Sequence, residues 1–331
     1  MKRVTIEDVA QAAGVSRQTV SRAINDKEEI SQATKDRVLQ AVQEMGYRPS
    51  RLAQGMVTQR TRTVGLVLAD ITNPFFPEVT RGVQDKAQHN DYNVFLCNTD
   101  AKAEAEMQVL RSLAAQHVDG IILFSHQASD EDLRSFADTY RPLVLINRVF
   151  EHPHVNILMV DNYRGGQLAA EYFIENGHTR IGVLTNAVTS LSQVRRLQGF
   201  KQEMKDHGLL LANDRIVAAP ANLEGGYQAA QQLLSRHPDT TAIFTYNDLM
   251  ALGAIRASSE RGLRIPTDIA IIGFDDIRFA AMATPSLSSV YVDKYAIGQK
   301  AMSRLLAMIN SPDNIFPPIE MSVKLIIRES A

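Results

Sequence analysis

Apolar residues recur at intervals of three and four positions in three short runs within the first 46 residues. The runs are Ile6, Val9, Ala10 and Ala13, then Val20, Ala23 and Ile24, then Val38, Leu39, Val42 and Met45. This spacing places the apolar side chains on one face of a helix. Thr5, Ser16 and Ser31 precede the runs as candidate N-caps, and Gly14 and Gly46 follow the first and third as breaks. The pattern predicts an N-terminal all-α head with a helix-turn-helix unit.

From residue 63 onward, short β-rich runs alternate with amphipathic stretches of helical length. The predicted strands are residues 64–68, 94–97, 121–124, 143–146, 157–160, 181–185, 216–218, 242–245 and 269–274. The predicted helices are residues 77–90, 103–116, 163–176, 194–207 and 249–261. Alternation of this kind is typical of doubly wound parallel sheets. Because it runs through twice, it predicts an α/β body of two similar parallel-sheet lobes.

The segment between the head and the body has the pattern of a marginal helix. Pro49 and Ser50 favour a helix start, but Gly55 and a length of about eight residues argue against independent stability. Such a segment is either a plain linker or a stretch that folds on binding.

Charge is distributed unevenly along the chain. Residues 1–62 contain 11 Lys and Arg against 7 Asp and Glu, whereas the whole chain has a net charge of −2. A basic head on an acidic body suggests that the head meets a polyanion. The polar face of the second predicted helix supports DNA because its side chains can bond base edges or phosphates: Arg17, Gln18, Thr19, Ser21 and Arg22. The alternative is an ordinary solvated helix surface.

Composition excludes several classes of protein. The single cysteine, Cys97, rules out an internal disulfide framework and a zinc cluster built on cysteine pairs. The apolar runs are far shorter than the roughly 20 residues of a membrane-spanning helix, and the N-terminus does not resemble a signal peptide. Dinucleotide, phosphate-loop and nucleophile-elbow motifs are missing. We expect a cytoplasmic, non-enzymatic protein without catalytic residues, metal or cofactor, and without contact to a membrane.

Polar residues gather where the predicted strands end, and parallel sheets bind ligands at those ends. In the first lobe they are Asp70, Asn73, Phe75, Phe76, Asn98, Asp100, Ser125, Asn147, Arg148 and Asp161. In the second lobe they are Ser190, Ser192, Arg196, Asn247, Asp248, Asp275 and Asp276. Amides, carboxylates, an arginine and paired aromatic rings suit a polyhydroxylated or heterocyclic ligand. For Asp161, Asp248 and Asp275 a plain helix cap is the alternative, and for Asn73 a turn.

The head resembles that of the lactose/galactose-repressor family of bacterial transcription regulators. The resemblance lies in Val4-Thr5-Ile6-Glu7-Asp8-Val9-Ala10, Ala13-Gly14-Val15-Ser16, Thr19-Val20-Ser21-Arg22 and Asn25. It implies a DNA-binding domain over residues 1–48 and a hinge helix with linker over 49–62, the hinge lying in the minor groove of operator DNA. The residues expected at DNA are Thr5, Ser16, Arg17, Gln18, Thr19, Ser21, Arg22, Asn25, Arg51, Leu52, Ala53 and Met56. The family usually has Asn where this chain has Ser50, and Leu where this chain has Met56.

The body resembles the type I periplasmic-binding-protein fold of the same family. The resemblance lies in residues 70–76, 118–122, 177–181, 196–200, 241–253, 272–276 and 326–330. It implies an effector domain over 63–331, with an N-lobe of 63–160 plus about 293–321 and a C-lobe of 161–292 plus about 322–331. The residues expected at the effector are Asn73, Phe75, Phe76, Asn147, Arg148, Ser190, Ser192, Arg196, Asn247 and Asp275.

Two departures from the family bear on the effector. Ala221 stands where many members have a stacking aromatic, and Ser190 stands where purine-binding members have arginine. A sugar is therefore favoured over a purine. The expected partners are palindromic operator DNA, a small-molecule effector and a second copy of the chain in a homodimer. A sugar receptor fused to a head, or an α/β enzyme with a regulatory head, are the alternatives.

Overall fold

The structure, a computed structural model, describes residues 4–24, 30–47, 60–124, 127–140 and 142–331. Contacts within the chain divide it into two units, Met1–Thr61 and Arg62–Ala331. The predicted sites at Asn25, Arg51, Leu52, Ala53 and Met56 lie outside the described residues, as do Ser125 and the predicted hinge helix.

The head contains helices α1 (Ile6–Ala13), α2 (Arg17–Ile24) and α3 (Gln32–Glu44). The predicted caps are confirmed: Thr5 and Asp8 form a reciprocal capping box, Ser16 accepts from the backbone of Thr19, and Ser31 caps α3. Gly14 ends α1 in the left-handed region, with φ of 63°. The three helices share one small core, formed by Val9, Ala10, Ala13, Val20, Ala23, Val38 and Ala41.

The body alternates strands and helices as predicted. Within the described residues its strands are β1 (Thr63–Leu68), β2 (Asn93–Asn98), β3 (Ile121–Phe124), β4 (Leu143–Ile146), β5 (Val155–Val160), β6 (Ile181–Asn186), β7 (Ile216–Ala219), β8 (Ala242–Thr245), β9 (Ala270–Asp275), β10 (Ser288–Tyr291), β11 (Ile319–Met321) and β12 (Lys324–Ile326). Its α-helices are α4 (Phe75–His89), α5 (Ala103–Ala115), α6 (Asp130–Thr139), α7 (Asn162–Glu175), α8 (Leu191–Asp206), α9 (Leu223–Arg236), α10 (Asp248–Glu260) and α11 (Lys294–Asn310).

The strands form two six-stranded sheets with the same winding. The first has the order β11-β5-β4-β3-β1-β2 and the second the order β12-β10-β9-β8-β6-β7. Both are doubly wound sheets in which the strand order reverses between β1 and β3 and between β6 and β8. The prediction of two doubly wound parallel-sheet lobes is confirmed: every pair in the first sheet is parallel. In the second sheet the edge strand β12, which was not predicted, runs antiparallel to β10.

The chain passes between the sheets three times. It goes from β5 through Asp161 into α7, from β10 through Asp293 into α11, and from β11 directly to β12. Helix α11 packs on α4 and covers β3, β4 and β5, so it lies with the first sheet. We call the first sheet with α4, α5, α6 and α11 the first lobe, and the second sheet with α7 to α10 the second lobe.

The inner strands of each sheet are buried on both faces. In β1, Val64, Leu66 and Leu68 face one apolar cluster while Val67 faces another, as expected for a parallel sheet between helix layers. None of the helices in the described parts of the chain combines the length and apolar character needed to cross a bilayer.

Three helix pairs approach each other through glycine. A Cβ on Gly166 of α7 would lie 2.0 Å from the carbonyl oxygen of Arg196 in α8. Gly226 and Gly253 bring α9 and α10 together in the same way, and Gly82 and Gly298 do so for α4 and α11. Because the backbones touch at these points, each pair is rigidly packed.

Candidate functional site

Helix α2 presents the polar face predicted for DNA. Val20 and Ala23 are buried on the other side of the helix, while Ser16, Arg17 and Gln18 are exposed. The Nε of Arg17 lies 3.3 Å from a carboxylate oxygen of Glu7, and both side chains are about two-thirds exposed. An exposed pair of this kind contributes little to stability and leaves the guanidinium open to a phosphate or a base edge.

The other predicted residues of the head are engaged locally or partly covered. The hydroxyl of Thr5 contacts both the backbone and the carboxylate of Asp8, and the hydroxyl of Ser16 accepts from the Thr19 amide at 3.1 Å. Thr19, Ser21 and Arg22 are half-buried. Arg17 and Gln18 are therefore the side chains of α2 with the freest reach.

In the first lobe, the segment after β1 starts α4 and positions two aromatic rings. The side chain of Asn73 accepts from the amide of Phe75 at 3.0 Å, so this Asx turn begins the helix two residues before the predicted start. Phe75 and Phe76 pack edge-to-face on each other and on Phe124, with ring centroids 5.2–5.6 Å apart. Each of the three rings is at most 8% exposed.

Asn147 and Arg148 follow β4. Asn147 has φ of 58°, and its side-chain oxygen accepts from the amide of Val160 at 2.8 Å, which joins the ends of β4 and β5. The Nη2 of Arg148 donates to the carbonyl of Ala128 at 2.8 Å and to the carboxylate of Asp130 at 2.5 Å. Both predicted effector residues thus bond groups of their own lobe.

Glu106 completes the surroundings of Arg148. This fully buried carboxylate accepts from the amides of Gln127 and Ala128, and one of its oxygens lies 3.9 Å from the Nη1 of Arg148. The Nη1 itself is buried without a hydrogen-bond partner. The positive charge of Arg148 is therefore matched inside the first lobe by Glu106 and Asp130.

In the second lobe, Arg196 is held at the ends of several elements. Its Nε donates to the side chain of Asn162 at 2.9 Å, its Nη1 donates to the carbonyl of Tyr246, and its Nη2 lies 3.4 Å from Asp275. The guanidinium lies over the ring of Phe274, 3.4 Å from the centroid. Only 7% of Arg196 is exposed, so the arginine is fixed before any ligand arrives.

Asp275 ends β9 and is 6% exposed. Burial raises the pKa of its carboxyl to about 6, against the opposing effect of the positive charges on Arg196 and Lys294. Burial, reinforced by the charge on Asp275, raises the pKa of fully buried Asp248 well above its ordinary value.

The remaining predicted residues serve as helix caps or lie beside one. Ser190 caps α8, and Asn247 caps α10 while its amide donates to the carbonyl of Ala221 at 3.1 Å. Ser192, in the first turn of α8, is buried. The cap interpretation also holds for Asp161, which caps α7, but not for Asp248, whose carboxylate bonds Ile277 and Ser289 instead.

The structure therefore brings Arg196 and Asp275 together, and separately Phe75 and Phe76, while Arg148 is drawn to the side of its own lobe. The sequence pattern did not predict the contacts that surround these residues, which are made by Glu106, Phe124, Asn162, Tyr246 and Lys294. Most of these contacts involve backbone groups: Glu106 and Lys294 bond backbone groups of other residues, and Tyr246 contributes its own carbonyl. Only an unexpected charge in an apolar context, as at Lys294, could have indicated one of them.

Comparison with known proteins agrees with this architecture. Residues 5–50 match the profile described as bacterial regulatory proteins, lacI family, and residues 61–328 match periplasmic binding proteins and sugar binding domain of LacI family. The transcriptional repressor PurR of Pasteurella multocida is 35% identical, with 98% of each chain covered. Catabolite control protein A of Priestia megaterium is 32% identical, with 99% of each chain covered.

Solved structures give the same result. The lac repressor dimer bound to operator and the anti-inducer ONPF has a TM-score of 0.90 at 27% identity, with 99% of each chain covered. The complex of the transcriptional regulator CelR with cellobiose has a TM-score of 0.76 at 30% identity, covering 99% of this chain and 100% of that one. The two family profiles, the relatives aligned over nearly their whole length and the solved structures all indicate the same family. The chain is a member of the LacI family of bacterial regulatory proteins.

Proposed function

We propose that the protein is a transcriptional repressor that binds a palindromic operator as a homodimer. Binding of a small neutral molecule to its body would lower or raise the affinity for that operator. Residues 1–48 would bind DNA, residues 49–62 would form the hinge, and residues 63–331 would bind the effector. The observation that carries the effector part is the buried Arg196–Asp275 pair at the carboxyl end of β9, a fixed donor beside a fixed acceptor.

The DNA part rests on α2. In a helix-turn-helix dimer the second helix of each head enters the major groove, and two heads related by a two-fold axis read a palindrome. Arg17 and Gln18, both exposed near the start of α2, suit guanine and adenine respectively. The PurR relative and the lac repressor neighbour are named as repressors, which favours repression over activation.

Charge favours a neutral effector. Arg148 is matched by Glu106 and Asp130, and Arg196 is matched by Asp275, so neither guanidinium holds an uncompensated charge for an anionic ligand. Hydroxyl groups can both donate to the Asp275 carboxylate and accept from the Arg196 guanidinium, as sugar hydroxyls do. We therefore favour a sugar or a sugar derivative without a phosphate.

A purine is the second candidate, because relatives named PurR are among the most similar proteins. A flat base needs an open aromatic face on which to stack. Phe75 and Phe76 instead pack edge-to-face with Phe124, and Ala221 provides no ring. These observations weigh against the purine.

The test is a thermal-unfolding screen with cellobiose, ribose, hypoxanthine and guanine. A ligand at 100 times its Kd stabilises the folded state by about 2.7 kcal/mol, which raises Tm by roughly 5–10 °C in a body of this size. We expect the rise with a sugar and its loss in Arg196→Ala, while Lys205→Ala, an exposed site on α8, responds as the parent does. A rise with the bases alone would replace the sugar by a purine.

The DNA arm uses selection from a random duplex library, followed by binding to the selected palindrome with and without the stabilising compound. Arg196→Ala should bind that palindrome as the parent does without the compound, but should lose the response to it. Recovery of no palindromic site would contradict the proposed repressor.

A further inference from the structure

The turn that follows β9 has an unusual backbone. Asp275 has φ of 105° and Asp276 has φ of 50°, conformations that L-residues with side chains adopt rarely. Such a backbone persists only where its surroundings hold it. The turn also supplies the Asp275 carboxylate that faces Arg196.

Groups of the second lobe hold one side of the turn. A carboxylate oxygen of Asp248 accepts from the amide of Ile277 at 2.7 Å, and the hydroxyl of Ser289 accepts from the amide of Asp276 at 3.0 Å. Arg328 donates to the side chain of Asp276 at 2.7 Å. These bonds fix the amides and one carboxylate of the turn.

The carbonyls of the turn are held by Lys294. Its Nζ donates to the carbonyl of Asp275 at 2.6 Å, to that of Asp276 at 2.8 Å and to that of Val292 at 3.2 Å. An ammonium has three donors, so all three are used. Lys294 is only 2% exposed, so its ammonium is buried against the turn.

Lys294 belongs to the other lobe by its helix. It is the first residue of α11, which packs on α4 and the first sheet. Gly82 and Gly298 bring the backbones of α4 and α11 into contact, since a Cβ on either would lie 2.1 Å from a carbonyl oxygen of the opposite helix. Glu78 of α4 adds a second link, because one of its carboxylate oxygens lies 3.7 Å from Arg278, just past the turn.

We propose that Lys294 is a positioning residue of the effector site, which holds the 275–276 backbone so that Asp275 faces Arg196 and ties that backbone to α11 and α4. A shift of the turn on effector binding then moves α11, and with it the helix that begins at Phe75 and Phe76. The inference rests on the proposed function, because it takes Asp275 and Arg196 as effector contacts.

The test needs no effector. Hydrogen exchange, followed by mass spectrometry, is measured on the parent, on Lys294→Met and on Lys300→Met, a matched control at an exposed lysine of the same helix. In Lys294→Met the amides of Asp276 and Ile277 should exchange at least about tenfold faster, and those of Phe75, Phe76, Glu78 and Val79 about threefold faster, as for local openings. Lys300→Met should match the parent.

A double-variant cycle on Tm separates positioning from general stability. Combined with Arg196→Met, Lys294→Met should lower Tm by less than the sum of the two single effects, because both act on one network. Lys300→Met combined with Arg196→Met should be additive. Additive losses for Lys294, or faster exchange confined to α11, would overturn the proposal.

Lys294→Gln, which keeps N–H donors without the charge, is used if Lys294→Met does not fold. Failure of both variants to fold, beside a folded Lys300→Met, would assign Lys294 to the fold and overturn its role in the site. If none of the sugars and bases stabilises the parent, the proposed effector classes fail, whereas the exchange result still decides the role of Lys294.

Discussion

Asp275 shows how the surroundings of one side chain decide its charge. The carboxyl lies beside Arg196 and near Lys294, which favour ionisation, yet burial outweighs both and raises its pKa to about 6. The same burial makes any hydrogen bond that this carboxylate accepts from a ligand strong, because water does not compete there.

The first prediction concerns pH. The folded protein binds the Asp275 proton more tightly than the unfolded chain, since the pKa rises from 3.8 to about 6. The group therefore reduces stability as the pH rises through that window, by an amount on the order of 3 kcal/mol. The Tm of Asp275→Asn minus that of the parent should increase from about pH 4 to about pH 7. Asp313→Asn, at an exposed loop residue, should show no such trend, and a flat difference for Asp275→Asn would contradict the raised pKa.

The second prediction concerns base reading. Arg17→Ala and Gln18→Ala should each lose about 1–3 kcal/mol of preference at one base pair of the selected operator, with the other positions unchanged. Gln43→Ala, exposed on α3, is the control. Binding titrations against single-base operator variants measure the preference. If both variants discriminate among these operators as the parent does, α2 does not read the bases.

At the scale of elements, close helix contacts and short edge strands are the features that the sequence pattern did not predict. Strands β3, β4 and β8 have the predicted bounds, because their runs are only four residues long and rich in β-branched or aromatic residues, which favours a buried strand over a helix. Helices α6, α9 and α11 were not among the predicted helices. Although α9 and α11 contain Gly226 and Gly298, the predicted helices α7, α8 and α10 contain glycine as well, so low helical propensity does not account for the difference. Those glycines instead allow helix pairs to touch, a tertiary requirement that local propensity does not contain.

Pairing over long distances explains the rest. The three-residue strands β11 and β12 gain their partners from β5 and β10, so their own sequence carries almost no strand signal. Residues of the candidate site likewise depend on contacts with residues that are distant in the sequence. Asp275 was predictable from its place at the end of a strand, and Arg196 was predicted through the family resemblance. Lys294 bonds backbone carbonyls, which look alike at every position of a sequence.

The third prediction tests one helix pair. In Gly166→Ala the new methyl group would overlap the Arg196 carbonyl oxygen, so α7 and α8 must separate and Arg196 must move. We expect a loss of about 1–3 kcal/mol in stability from overpacking, together with weaker effector binding. Urea unfolding and calorimetry with cellobiose and ribose measure the two effects. Lys205→Ala should change neither, and a Gly166→Ala variant of parental stability would show that the pair tolerates a wider spacing.

At the scale of the whole molecule, the edge strand β2 offers a surface for a second copy of the chain. Phe95 and Leu96 are 43% and 48% exposed, and β2 lies at the end of its sheet. Exposed apolar side chains on an edge strand favour association. We take this surface as the contact of the homodimer proposed above.

The fourth prediction follows from that surface. Leu96→Asp places a charge in the proposed contact, so the protein should elute as a monomer and bind a palindromic operator much more weakly, while its body unfolds at a similar temperature. Light scattering after gel filtration measures the mass. Leu210→Asp, at an apolar residue that is 84% exposed elsewhere, should remain a dimer, and a dimeric Leu96→Asp would place the contact on another face.

The path of the chain between the lobes also has a consequence during synthesis. The first lobe contains α11 and β11, which follow the entire stretch from β6 to β10. At 5–20 residues per second, the roughly 130 residues between Asp161 and Asp293 delay completion of that lobe by about 7–26 s. A ribosome-bound chain thus exposes an incompletely folded first lobe for that time. The body can complete its fold only when β11 and β12 have left the ribosome.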